Sequence, residues 1–98
     1  DNGYSVFEMP VAEHIYNIIV DTSKGVGGDY SAFVVIDISE VPYKVVATYK
    51  NNTISPYIYP DIIHDTAKKY NNAYVLVEIN SSEQVVNILH EQLEYENI

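Results

Sequence analysis

The 98-residue chain contains no cysteine, which excludes disulfides and thiolate metal sites and fits a reducing compartment. It contains no arginine either: five lysines face 14 acidic residues, for a formal net charge of −9. Nucleic-acid affinity normally draws on a basic footprint that neutralises phosphates. Any action on DNA therefore needs metal ions, or other parts of a larger protein, to offset the repulsion. No stretch approaches the about 18 consecutive apolar residues of a membrane-spanning helix, and no signal-peptide pattern is found. There is no GxxxxGK[ST] stretch, so Gly25, Gly27 and Gly28 do not form an ATP-binding loop.

What is present argues for a folded, sheet-containing unit. The hydrophobic fraction is 47%, with valine and isoleucine abundant, and the length suits one small domain. The chain opens on Asp1 rather than Met, from which we expect a piece cut from a longer protein. Residues 1–13 show no sustained period and carry Gly3 and Pro10, as expected of a lead-in segment or linker touching the surface through Tyr4, Val6 and Phe7. The domain proper is expected over 14–98.

A first strand is expected over 14–21, apolar on both faces like a central strand, and a second over 30–38. The loop between them is too short for a helix, so they should pair antiparallel. A turn at Ser39–Pro42 leads to a third strand over 43–50, with Tyr43, Val45, Ala47 and Tyr49 on one face. Its lysines, Lys44 and Lys50, suit a guarded sheet edge. Ser55-Pro56 has the form of a helix start, although Pro60 can shift that start or kink the helix. Ile58, Ile62, Ala67 and Tyr70, widened by Ile63, form the apolar stripe. Asn71-Asn72 can close the helix. A fourth strand is expected over 73–80, and Ser81 with Gln84 opens a second helix, with Val85, Val86, Leu89 and Leu93 inward. The order β-β-β-α-β-α describes an α/β fold whose mixed sheet is covered by helices. The ten tyrosines are scattered through these elements and suit core packing.

Two acids stand at strand ends. Asp21 closes the first strand before a loop with Lys24, Gly25, Gly27 and Gly28, and Asp29 opens the next strand. Glu78 lies among Val75, Leu76, Val77 and Ile79, where an ionised carboxylate is costly unless compensated. With so few cations in the chain, a metal is the natural compensation. Mg²⁺ takes only one or two carboxylates and keeps several waters, so two acids at strand ends suffice. Each residue also has a plainer reading: Asp21 as a turn cap, Glu78 as a solvated edge, Asp29 as turn chemistry, the glycines as backbone accommodation and Lys24 as a solvated side chain. His14, His64 and His90 show no metal-ligand spacing and read as structural or exposed.

The segment D21-T-S-K-G25-V-G-G-D29-Y30-S31 resembles the first acidic motif of the nuclease domain in the large terminase subunit of tailed bacteriophages, a ribonuclease H-like fold. V77-E78-I79-N80-S81 resembles that family's second acidic motif, and N52-T53-I54-S55 and P60-D61-I62 stand where the family has similar residues. The resemblance runs over about residues 14–96.

It implies a metal-dependent endonuclease that cuts concatemeric viral DNA during packaging, with Asp21 and Glu78 as catalytic metal ligands for Mg²⁺ or Mn²⁺ and Asp29 as an auxiliary acid. Lys24, Gly25, Gly27 and Gly28 would form the loop that meets DNA phosphate. Through a parent protein the implied partners are double-stranded DNA, a packaging ATPase domain, the portal and the small terminase subunit, in the host cytoplasm and with no membrane. The family's third catalytic aspartate lies further downstream than this chain reaches, so the chain is expected to be a truncated domain, inactive alone. A homodimer through the exposed edge of the fourth strand is expected on the same ground. Other readings of the residues are another ribonuclease H-like nuclease, a phosphate-binding domain of the sugar-kinase or actin type, and a non-catalytic interaction module with an acidic surface.

Overall fold

The computed structural model describes residues 3–21, 31–54 and 57–77. They form β1 (Tyr4–Val6), β2 (Tyr16–Asp21), β3 (Ser31–Asp37), β4 (Lys44–Asn51), α1 (Tyr59–Lys69) and β5 (Tyr74–Val77). One mixed sheet runs in the order β1-β4-β3-β2-β5. The three expected consecutive strands, β2, β3 and β4, pair antiparallel, whereas β5 lies parallel to β2. A parallel partner requires a crossover, and α1 supplies it between β4 and β5. The expected second helix at 81–94 lies outside the described residues.

Burial alternates along the central strands as a pleated, one-sided core demands. Tyr16, Ile18 and Val20 of β2, Phe33 and Val35 of β3, Ala47 and Tyr49 of β4 and Val75 of β5 point inward. Tyr59, Ile63 and Ala67 of α1 close that face, with Tyr70 and Ala73 beyond the helix. The opposite face is more open: Ile19 is 38% exposed and Leu76 46%, so β2 is not covered equally on both sides, contrary to expectation.

Three further expectations are corrected. Tyr43 and Val45 do not share a face with Ala47 and Tyr49; they are exposed, and Val46 is buried in their place. The register explains this, because Val35 pairs with Ala47 but Ile36 with Val45, leaving Val46 as a bulge that inverts the alternation. Lys50 does not guard an edge, since β1 pairs along Ala47–Tyr49 of β4 and the Lys50 N–H donates to the Gly3 carbonyl. The helix begins at Tyr59 and not at Ser55-Pro56, residues outside the described set. Pro60 falls in the first turn, where its missing N–H costs nothing. Ile58 is accordingly outside the helix and exposed, while Tyr59 takes the inward position. The other end is as expected: Asn71 and Asn72 both adopt positive φ and turn the chain into β5.

The lead-in segment contributes β1 and a strap across the end of the sheet. Gly3 has φ +89°, and a Cβ there would stand 2.0 Å from the Lys50 carbonyl oxygen, so only glycine allows this approach. The backbone N–H groups of Phe7 and Glu8 both donate to the carbonyl of bulged Val46, at 2.8 and 3.1 Å. The Tyr70 hydroxyl donates to the Glu8 carbonyl at 2.9 Å, and the Asn71 amide donates to Val11 and His14 carbonyls at 2.8 and 3.0 Å. Burial pushes the Tyr70 phenol up to about 12, with the neighbouring Tyr4 and Tyr16 adding to it.

His14 Nδ1 meets Asp37 Oδ2 at 2.7 Å, fastening the strap to β3. Burial pushes the Asp37 carboxyl up, but donors from Ser39 and His14 outweigh it and hold the group below its ordinary value. A depressed aspartate stabilises the fold above its unfolded pKa, and that contribution is lost as pH falls through the folded value. The Asp37→Asn variant is therefore expected to be less stable than the parent at neutral pH. Urea melts from pH 7 to 2 should show the gap closing below about pH 3.9; a gap independent of pH would contradict the assignment.

Candidate metal centre

Asp21 is the last residue of β2, and its side chain emerges on the open face, since Val20 before it is fully buried on the helix side. The register makes a row of Asp21, Ala32 and Lys50 across three strands of that face. Two strand spacings separate the backbones of Asp21 and Lys50, about 10 Å. Lys50 was not singled out as a site residue from the sequence, because only the pairing of β2, β3 and β4 brings it level with Asp21.

On the other side of β2, Val20 stands level with Val77 in the parallel pair with β5. These are the residues immediately before the two candidate acids. Glu78 itself, Asp29, Lys24, Gly25, Gly27 and Gly28 lie outside the described residues, so of the predicted site residues the structure places Asp21 alone. Among the described residues no three acidic or histidine side chains cluster in a metal-binding arrangement.

The donor chemistry at Asp21 suits a hard divalent cation. Its carboxylate is exposed, and the ion pairs among the described residues, His14–Asp37 and His64–Asp65, do not involve it. A solvent-facing carboxylate can lend one oxygen to a cation that retains most of its water.

Beneath Asp21 lies an aromatic layer. One rung earlier, the register aligns Val77, Val20, Phe33, Tyr49 and Tyr4 across all five strands. Phe33 and Tyr49 stack with ring centroids 5.2 Å apart, and Tyr59 of α1 stacks on both, at 6.2 and 5.9 Å. Tyr4 meets Phe33 edge-on at 6.1 Å, and its hydroxyl donates to Thr66 Oγ1 of α1 at 3.0 Å. From this layer the buried Tyr59 hydroxyl donates to the Asp21 carbonyl oxygen at 3.5 Å. Burial pushes the Tyr59 phenol far above its ordinary range, with Tyr49 and Asp21 adding to it. The tyrosines at 16, 49, 59 and 70 are thus core residues, as their pattern implied, whereas Tyr43, Tyr57 and Tyr74 are exposed.

A separate cleft, lined by Glu8, His14, Asp37, Ser39, Glu40, Pro42 and Lys44, lies at the opposite end of the sheet. The Ser39 hydroxyl there accepts from the Ile15 N–H at 2.7 Å, and His14 holds Asp37. These side chains serve the strap, in keeping with a structural role for His14.

Residues 18–98 match the model of the family described as Terminase RNaseH-like domain. Among solved structures, the large terminase nuclease of thermophilic phage G20c is similar with a TM-score of 0.80 at 23% identity, over 94% of this chain and 47% of that one. The same nuclease with bound magnesium gives 0.79 at 20% identity, over 97% of this chain and 48% of that one. The large terminase nuclease domain of Thermus phage P74-26 gives 0.75 at 24% identity, over 94% and 45%. The G20c nuclease also has structures with bound zinc and cobalt. This chain spans about half the length of those chains. The mixed sheet, with β5 set parallel beside β2 after a helical crossover, is the ribonuclease H-like arrangement, and the chain belongs to the terminase RNaseH-like domain family.

Proposed function

We propose that this chain supplies two acids of a divalent-metal-dependent DNA endonuclease centre in a viral packaging terminase. On this reading Asp21 and Glu78 are the metal ligands, for Mg²⁺ or Mn²⁺, and Asp29 is an auxiliary acid. The observation that carries the reading is the level pairing of Val20 with Val77 on adjacent parallel strands. Parallel neighbours in register present their side chains to the same face, with strands about 4.8 Å apart. Each of these valines is followed in the sequence by one of the two proposed acids, which on this reading share one hydrated cation. The bound nuclease metals named for the G20c relative support a divalent ion.

In phosphodiester hydrolysis such ions, when bound, supply activation of water and stabilisation of the leaving oxygen. The residues of this chain hold and orient. Strand ends fix the carboxylates, the loop with Lys24, Gly25, Gly27 and Gly28 lets backbone approach a phosphate, and Lys50 adds a positive charge on the same face. With a net charge of −9 these few cations cannot hold DNA unaided, so the partners are the remainder of a terminase, including its packaging ATPase, and the portal and small subunit in the host cytoplasm.

Mn²⁺ titration followed by water-proton relaxation tests the reading. Asp21→Asn is expected to abolish specific binding and Glu78→Gln to weaken it at least about 10-fold. Unchanged affinity in both would remove the site.

A further inference from the structure

We infer that Tyr59 is a positioning residue for this centre: its buried hydroxyl holds the main chain of Asp21, and so sets where the carboxylate of that residue stands. The inference rests on the metal reading above and adds a residue on the opposite face of the sheet from the ligand.

Tyr59 is 1% exposed, yet it carries a hydroxyl that must find an acceptor. It is the first residue of α1, and Pro60 behind it locks the start of the helix. Its ring is clamped on Phe33 and Tyr49, with interplanar angles of 25° and 24°, so the hydroxyl has little freedom. The acceptor is the carbonyl oxygen of Asp21, at 3.5 Å. Asp21 is the last described residue of its strand and of the β2–β3 ladder, paired with Ala32. The peptide of Asp21 is tied to β3 through the pairing with Ala32 and to α1 through the Tyr59 hydroxyl. Binding that peptide from below removes the freedom which would otherwise blur the position of the side chain above. A phenylalanine would fill the same space and stack equally well. The tyrosine is therefore explained by its oxygen and not by its ring. Outer partners that orient a ligand commonly alter metal affinity 10–100-fold.

The matched control is Tyr49, also buried in the stack, whose hydroxyl bonds to Asn51 and not to Asp21. Removing either hydroxyl deletes one hydrogen bond and keeps the ring. A merely structural role predicts some loss of thermal stability in each variant and no effect on metal. The inference predicts that Tyr59→Phe weakens Mn²⁺ binding about 10-fold, with Tyr49→Phe within about twofold of the parent. Equal Mn²⁺ affinity in the two variants would overturn it. The wild-type protein gives a readout free of any variant: the ¹³Cζ resonance of Tyr59 is expected to move as Mg²⁺ is added, and a stationary signal at saturation would count equally against the inference. Asp21→Asn, titrated alongside, separates the levels. If it leaves Mn²⁺ affinity intact, the metal reading and this inference fall together. If it abolishes binding while Tyr59→Phe does not alter it, only the role of Tyr59 falls.

Discussion

Phe33→Ala is expected to destabilise the protein by about 3–5 kcal/mol, the largest effect of any single truncation on the sheet. Phe33 is 2% exposed and stands in the middle of the aromatic layer, touching Tyr4, Tyr49 and Tyr59. Its removal deletes ring contacts to three different elements, β1, β4 and α1, and leaves a cavity that rigid neighbouring rings cannot collapse to fill. The strand carrying it is inner, so the backbone cannot relax outward without losing a ladder on each side. For a domain of this size such a loss lowers Tm by at least about 12 °C. Tyr43→Ala is the companion measurement. Tyr43 is 63% exposed because the bulge at Val46 turned it outward, so its loss should stay within about 0.5 kcal/mol. Comparable losses from the two variants, in thermal melts followed by circular dichroism, would mean that the aromatic layer is not what holds the sheet together.

The second large effect concerns the metal. A ligand that binds only the folded state stabilises it by mass action, about 2.7 kcal/mol at a hundred times its dissociation constant. In a domain of this length that corresponds to a Tm rise of roughly 11–22 °C. Mn²⁺ at that level is expected to raise the melting temperature of the wild-type protein accordingly, and EDTA to return it to the starting value. The Asp21→Asn protein should melt at one temperature with or without Mn²⁺, because the amide keeps the shape of the carboxylate but not its charge. The Asp37→Asn protein should keep the full rise, since Asp37 ends β3 at the far end of the sheet and is held by His14 and Ser39. A metal response that survived in the Asp21 variant and vanished in the Asp37 variant would transfer the cation to the opposite cleft.

Much of the molecule was legible in the order of residues. Runs such as Asn17–Val20 and Phe33–Ile36 are rich in β-branched and other apolar residues that favour a sheet, Gly-rich and Asn-rich joints break them, β2 ends on an acid and another acid follows β5 in the sequence. Local propensity and turn chemistry act over a few residues, so they can be read a few residues at a time. The charge balance likewise argues against an unaided nucleic-acid binder from the sequence alone.

Pairings between distant segments were decided elsewhere. Nothing in the sequence around Tyr4 announces that it will extend the sheet beside Tyr49, or that Val46 will bulge, because both depend on how β4 meets its two neighbours. α1 starts at Tyr59, whose ring packs on Phe33 and Tyr49 of the sheet, a long-range contact that no local signal in the sequence announces. The hydroxyl of Tyr59 reaches Asp21 across 38 residues of chain, and His14 reaches Asp37 across 23. The sequence by itself determined which residue types stand ready for metal chemistry. Only the tertiary structure brought β2 level with β5, since register between remote strands is set by the summed burial of a whole face and not by any one segment.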